Sequence, residues 1–495
     1  LAIYRDPAQK AQAHARGSGI SSVVKKAMLS IMAAVMLLVW MLPGVQAAEQ
    51  PSEWTEAAVQ FTSEGLTLNG TLLLPDTPGP HPAVVLVHGS NSVNREKYRG
   101  EAELFARAGI AALIYDKRKD GFASSRSGGR SYDLLAADAG AAVEALRTHP
   151  RLNPEHIGLW GISEGAWVAS LTASRSDRAD FLITVGASGV APVRQQSWQL
   201  VNRLQGQGVS SPGVVEALSD RALRLAVSAG MFAEADYNPL PAFEGVKQPV
   251  LAIWGRQDRI EPPLESYRLL KQALEKKSES ASYRFFDRAG HNLRSAPDGV
   301  QQTEEFPAGY ADTMTSWVKH VTSGQASGPQ TAGDVPQQEH LSKPGLHTIA
   351  WYQTAWAQLG TMLVLVVLFL GCWMAFLRRS RRLRREGAAS RGTGPRFGTG
   401  GLTAGSGLLT VLGFTVYFGW LMSSGAKQVA PIVGDRPLVW LLLQLLAVIT
   451  CGAAAVYAFS MRKGSGTGTR MCNGLLLGGV VLFAAWAAYW QLFSL

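Results

Sequence analysis

Cysteine is almost missing from this chain of 495 residues. The three present, Cys372, Cys451 and Cys472, all fall in the last third. The stretch from about 48 to 350 has none, which excludes a disulfide framework, a CxxC redox pair and a thiolate metal site there. Acidic and basic side chains are absent from four apolar stretches, roughly Trp351–Leu377, Leu402–Met422, Leu438–Phe459 and Met471–Trp490, in which neutral Gln444 and Asn473 stand out. Each is near the length that crosses a hydrocarbon core. Without an Asp, Glu, Lys, Arg or His, they offer no ion or proton path, so they read as an anchor or partner-binding module. The middle of the chain also lacks an excess of positive charge. The net charge of +10 divides into +4 over 1–47, −5 over 48–350 and +11 over 351–495. A nucleic-acid surface on the middle segment is thereby disfavoured.

The positive charge that is present reports topology. Lys25 and Lys26 precede an apolar run from Ala27 to Leu42, and Val45-Gln46-Ala47 places small residues at −3 and −1 of a cut after Ala47. This is a signal-peptide pattern, with an uncleaved anchor as the alternative. Arg378, Arg379, Arg381, Arg382, Arg384 and Arg385 follow the first apolar stretch, and Arg391 and Arg396 continue the loop. The positive-inside rule makes that loop cytoplasmic. Export of 48–350 predicts the same orientation. The expected organisation is a signal region at 1–47, an extracytoplasmic domain at 48–322, a flexible linker at 323–350 and four transmembrane helices at 351–495. The linker reading rests on Gly, Pro, Ser and Gln without apolar periodicity.

From residue 57 the pattern alternates between strands and helices. Val59–Ser63 and Leu66–Leu74, the second interrupted by Asn69-Gly70, read as a leading antiparallel pair. Buried strands follow at Ala83–Val87, Ile110–Tyr115, Ile157–Trp160, Phe181–Val185, Val250–Trp254 and Tyr283–Phe286. Helices are expected near Glu101–Ala108, Tyr132–Arg147, Ala166–Ser174 and Ala311–Thr322. Such alternation implies an α/β fold, a mostly parallel sheet with helices on both faces. Ligands of such sheets bind beyond the carboxyl ends of the strands.

Candidate chemistry sits at those ends. Gly161-Ile162-Ser163-Glu164-Gly165 lies between a strand and a helix, the context a nucleophile elbow needs. Asp258 follows the strand Val250–Trp254, and His291 follows Tyr283–Phe286, so Ser163, Asp258 and His291 can converge on one rim in the order nucleophile, acid, base. Ser163 would be the nucleophile, His291 the general base, and Asp258 the group that fixes the imidazole tautomer. Glu261 and Asp287 remain alternative acids. Backbone N–H groups of Glu164 and of Ser90, or of Asn91, would form the oxyanion hole. The Glu164 side chain is expected to face solvent, with contact to a substrate amino group as the alternative. Asp116 and Arg118 are expected to pair within their loop, and His88 to shape the turn after its strand.

These residues resemble the α/β-hydrolase superfamily, especially its secreted esterase, dienelactone-hydrolase-like and prolyl-oligopeptidase-like branches. The resemblance covers about Val59–Thr322. It rests on the opening hairpin, His88-Gly89-Ser90, Asp116-Lys117-Arg118 with Gly121, the Gly161–Gly165 elbow, Asp258 and His291. Ala166, where many relatives have a third Gly, and Lys117-Arg118-Lys119, where relatives often read Arg-Gly, depart from it. The resemblance implies a helical cap over about 192–245, in which Trp198, Leu200, Leu204, Met231 and Phe232 form cap core or substrate wall. It also implies no metal and no organic cofactor. The expected function is a multi-pass, membrane-anchored serine hydrolase cleaving carboxylic esters, with a small ester or acyl compound and the lipid bilayer as its partners. A serine peptidase of prolyl-oligopeptidase or aminopeptidase type is the enzymatic alternative. A non-catalytic membrane sensor or scaffold is the other.

Overall fold

A computed structural model of the chain describes residues 53–494 apart from 91–93, 120–131, 233, 279, 298–300, 326–329, 339, 386–393 and 462–466. The expected signal segment, Asn91, Gly121 and Arg391 lie outside the described residues.

Runs of apolar residues long enough for a strand, with no polar face, have to be covered on both sides. Strands β3 (His81–Val87), β4 (Ala111–Tyr115), β6 (Leu182–Val185) and β7 (Val250–Gly255) behave this way. With β1 (Trp54–Ser63), β2 (Leu66–Pro75), β5 (Leu152–Ile162), β8 (Ala281–Phe286) and β9 (Gln330–Ala332) they form one sheet, ordered β1-β2-β4-β3-β5-β6-β7-β8-β9. The first two strands pair antiparallel with each other, and β2 pairs antiparallel with β4. All pairings from β4 through β3 to β9 are parallel. Asn69-Gly70 does not interrupt β2: both residues stay in register with β1. A Cβ on Gly70 would lie 2.8 Å from the Leu113 side chain, so glycine is what lets β2 approach β4 here.

Two apolar clusters cover the two faces. Helices α2 (Tyr132–Arg147), α3 (Glu164–Arg175) and α8 (Pro263–Leu274) pack on one face through Leu135, Ala139, Trp167 and Leu270. Helices α1 (Arg99–Arg107) and α9 (Tyr310–Thr322) pack on the other through Phe105, Met314 and Val318. The connections from β3 to β4 and from β4 to β5 run in opposite directions across the sheet. The crevice beyond β3 and β5 is therefore the switch point at which such sheets bind ligands. This is the α/β-hydrolase arrangement.

Between β6 and β7 the chain leaves the sheet as a helical cap: α4 (Pro192–Gly206), α5 (Pro212–Glu216), α6 (Ala222–Ser228) and α7 (Leu240–Gly245). Four long helices end the chain, α10 (Ala355–Arg385), α11 (Gly394–Ser423), α12 (Leu438–Met461) and α13 (Thr467–Tyr489). Each contains a span long and apolar enough to cross a membrane. Gly407 lets α10 and α11 pack closely, because a Cβ there would meet the Phe369 ring at 2.6 Å, whereas Gly419 faces open space.

The cap and the bundle share one apolar cluster, which runs from Leu200, Leu204, Val214 and Leu218 to Phe414, Leu421, Trp440 and Trp490. Hydrogen bonds close the seam. The N–H groups of Ser210 and Ser211 donate to the Asp435 carbonyl at 3.0 and 3.1 Å, Gln207 Nε2 donates to the Ala426 carbonyl at 2.7 Å, and the Ala355 N–H donates to Ser228 Oγ at 2.7 Å.

The segment expected as a flexible linker instead follows the domain surface. Its residues Gln330–Ala332 add β9 to the sheet beside β8. Further on, the Ser342 N–H donates to Glu265 Oε2 at 3.0 Å, Arg224 Nη1 donates to the Gly345 carbonyl at 3.1 Å, and Leu346 is fully buried. Backbone hydrogen bonds need no apolar periodicity, which is why composition alone did not reveal this docking.

Candidate active site

Strand β5 ends at Ile162 and α3 begins at Glu164, so Ser163 must reverse the chain in a single residue. It does so at φ 56° and ψ −122°, a region that costs a non-glycine residue roughly 1–3 kcal/mol. The turn is fixed from both sides. The Ser163 N–H donates to the Val185 carbonyl at 2.8 Å, and the Ala166 N–H donates to the Ser163 carbonyl at 2.9 Å. A Cβ on Gly161 would collide with the Gly165 carbonyl, and one on Gly165 with the Val87 carbonyl. The flanking glycines are therefore steric requirements of the elbow, as the sequence pattern implied. Ala166, the departure from the three-glycine form, sits fully buried.

Asp258 and His291 come together 33 residues apart in the chain. His291 Nδ1 lies 2.8 Å from Asp258 Oδ2, and both side chains are buried. The other carboxylate oxygen, Oδ1, accepts the N–H groups of Ile260 at 2.8 Å and Glu261 at 2.9 Å. Asp258 thus both closes its own turn and holds the imidazole. Burial by itself would lower the His291 pKa. The adjacent Asp258 charge, its hydrogen bond and Glu261 more than reverse this and hold it above the ordinary histidine value. With Nδ1 committed to Asp258, Nε2 is the nitrogen through which the ring can exchange a proton.

Ser163, Glu164, Ser90 and His291 line one cavity of about 640 Å³, together with Tyr98, Trp167, Phe232 and Glu261. The alternative acids separate clearly. Asp287 is exposed and paired with Arg256, whereas Glu261 is buried beside the Asp258–His291 pair. Burial pushes the Glu261 carboxyl up to about 8, with the Asp258 charge adding to the rise and the His291 charge opposing it. Oε2 of this carboxyl is buried without a hydrogen-bond partner.

Two expectations about side chains are corrected. Glu164 does not face solvent: it is buried, and Oε1 accepts from Lys117 Nζ at 2.6 Å. The same ammonium donates to the Gly89 carbonyl at 3.0 Å, so Lys117 ties the loop after β3 to the start of α3. Asp116 and Arg118 do not pair with each other. Arg118 makes a two-pronged contact with Asp138 on α2, Nε to Oδ2 at 2.6 Å and Nη2 to Oδ1 at 2.5 Å. Asp116 accepts the Arg95 N–H at 3.1 Å. Both corrections have one cause, since the true partners lie 20 to 47 residues away and no local pattern marks them. His88 does shape its turn, packed edge-on against Tyr98 and Tyr115, while the Gly89 N–H donates to the Tyr98 hydroxyl at 3.1 Å. Lys117 is the site-adjacent group that sequence reasoning left without a role. The departure at Lys117-Arg118-Lys119 was the one signal for it.

Of the five cap residues singled out, Phe232 lines the Ser163 cavity. Leu200 and Met231 line a neighbouring one. Leu204 is fully buried in the cluster shared with the bundle, and Trp198 packs beside His340. Among the described residues, no group of three or more His, Cys, Asp or Glu is gathered as a metal ion would require.

Residues 84–303 match the alpha/beta hydrolase family. The match spans β3 through the His291 loop. Thiohydrolase aneE of Aspergillus aculeatus is 35% identical over 135 residues, 27% of this chain and 42% of that protein. The quorum-quenching protein AidA of Acinetobacter baumannii is 29% identical over 131 residues, 26% of this chain and 42% of that protein. An uncharacterized peptidase, YuxL of Bacillus subtilis, is 26% identical over 245 residues, 47% of this chain and 34% of that protein. The chain thus spans less than half the length of these relatives.

Proposed function

We propose that the chain is a membrane-anchored serine hydrolase that cleaves carboxylic esters or thioesters. The observation that carries this reading is a buried Asp258–His291 pair at 2.8 Å whose histidine lines one cavity with a serine held at positive φ between a strand and a helix.

In this reading Ser163 Oγ attacks the acyl carbon while its proton passes to His291 Nε2. Asp258 stabilises the imidazolium that forms. The negative charge on the carbonyl oxygen meets the backbone N–H groups of Glu164 and Ser90, at the start of a helix whose dipole favours an anion. Collapse of the tetrahedral intermediate breaks the bond to the leaving group, which takes the proton from His291. Water then attacks the acyl-serine, His291 receives its proton, and the carboxylic acid departs as Ser163 recovers its hydrogen. Lys117 positions the loop that bears Ser90 relative to Glu164. With its carboxylate paired to Lys117, Glu164 is poorly placed to bind a substrate ammonium, which weighs against an aminopeptidase. The similarity to the YuxL peptidase is what keeps peptide bonds in view.

The anchoring geometry also supports an extracytoplasmic site. Helix α10 starts at the cap, where Ala355 meets Ser228, and its far end carries Arg378, Arg379, Arg381 and Arg382. If that end faces the cytoplasm by the positive-inside rule, the sheet domain lies outside.

The test compares p-nitrophenyl esters with aminoacyl-p-nitroanilides on the detergent-purified full chain and its Ser163→Ala variant. Ester turnover that disappears with Ser163→Ala is expected. Efficient anilide turnover would move the reading to a peptidase, and turnover of neither substrate by folded protein would favour the sensor or scaffold.

A further inference from the structure

The Ser163 cavity has a neighbour between the cap and the bundle. Gln196 and Phe232 line it and also line a second cavity of about 280 Å³. Gln196 apart, every residue bounding the second cavity is apolar or glycine. One wall is cap, including Leu223 and Ala226; the other includes Leu421 and Met422. Those two residues sit in the last turn of α11, at the end of the span Gly398–Ser423. Met231 stands at the edge of this cavity 73% exposed. A hollow lined by apolar side chains with one polar group is the usual form of a small-molecule site, and this one lies where a membrane span reaches its interface. Nothing polar but Gln196 is there to hold water in place.

We infer that the second cavity receives the acyl chain of a membrane-resident ester, whose carbonyl reaches Ser163 past Phe232 while its chain lies between the cap and α11. This deepens the ester-hydrolase reading and rests on it. The substrate class becomes long-chain acyl amphiphiles taken from the bilayer surface, and the seam between cap and bundle becomes part of the binding site. That assigns a purpose to a bundle whose outer end is fused to the cap.

The experiment measures kcat/KM of the full chain, reconstituted in detergent, for p-nitrophenyl acetate and p-nitrophenyl dodecanoate, and for dodecyl acetate, which carries the chain on its alcohol. A small fluorophosphonate titrates the reactive sites in each preparation, to which rates are normalised. Each methylene that enters an apolar site adds about fourfold in binding, so dodecanoate should exceed acetate by at least a hundredfold. Ala226→Trp fills the cavity from the cap and Met422→Trp from the bundle. Each should cut the dodecanoate-to-acetate ratio at least tenfold, and either variant alone suffices if the other does not fold. A ratio unmoved in a variant that retains reactive sites would overturn the inference. So would a preference that follows the alcohol chain of dodecyl acetate. If the parent protein hydrolyses none of the esters, the ester-hydrolase reading itself fails; if it hydrolyses them without regard to chain length, only the acyl-chain site fails.

Discussion

The sheet domain and the membrane bundle solve the problem of buried polarity in opposite ways. The sheet domain buries charge and pairs it: Lys117 with Glu164, Arg118 with Asp138, Asp258 with His291. The bundle buries hydroxyls and amides: Thr450 Oγ1 donates to Ser406 Oγ at 2.9 Å, Tyr457 OH to Asn473 Oδ1 at 2.6 Å, and Trp490 Nε1 to Gln358 Oε1 at 2.9 Å. Ion pairs in a water-exposed protein can be reached by relaxation and solvent, whereas in hydrocarbon an unsatisfied charge has no such recourse. The buried charges that could serve chemistry therefore lie in the sheet domain, and the bundle lines part of an apolar cavity.

The comparison sharpens first at Lys117. Lys117→Met strands a buried Glu164 carboxylate and should cost about 3–5 kcal/mol, measured by denaturant unfolding of the purified chain. Replacing both partners, Lys117→Met with Glu164→Leu, should recover most of that loss, because no charge is then left unpaired. Activity should stay low in both, since neither variant ties Gly89 to α3.

Glu261 gives the next effect, through pH. Its carboxyl stays protonated in the folded chain to about pH 8, against 4.5 for the ordinary group. Between those values the folded form holds a proton that the unfolded form has lost, so its contribution is complete below pH 4.5 and disappears as pH rises through 8. Integrated, this is a few kcal/mol at most. Glu261→Gln should remove that slope, and its melting temperature should fall less than that of the parent protein between pH 5 and 9. An unchanged slope would mean that Glu261 is ionised throughout.

The smallest effect belongs to the bundle. Asn473→Leu removes the partner of Tyr457 and should cost only about 0.6 kcal/mol, at most roughly 1.7. A loss as large as that of Lys117→Met would erase the contrast between the two regions.

The parts legible in the sequence were those set by local pattern. The order of the strands β1 to β8, the four spans, the Gly161–Gly165 elbow and the placement of Asp258 and His291 after their strands all follow from local periodicity and turn chemistry, whereas the helix Pro263–Leu274 was not read. What escaped was set by contacts across the fold. Glu164 meets a lysine 47 residues away, Arg118 finds Asp138 rather than Asp116, and Asn69-Gly70 continues a strand that pairs with β1 on one side and β4 on the other. The 330–332 segment joins the sheet by backbone bonding, and the fusion of cap and bundle depends on surfaces whose apolar residues read as ordinary core on each side.

The most direct test is to map the adduct that a fluorophosphonate forms with the purified full chain, by digestion and mass spectrometry. The account predicts a single modified residue, Ser163, no adduct in Ser163→Ala, and labelling slowed at least a hundredfold in His291→Ala. Folded protein that takes no label, or a label on another serine that survives Ser163→Ala, would contradict it.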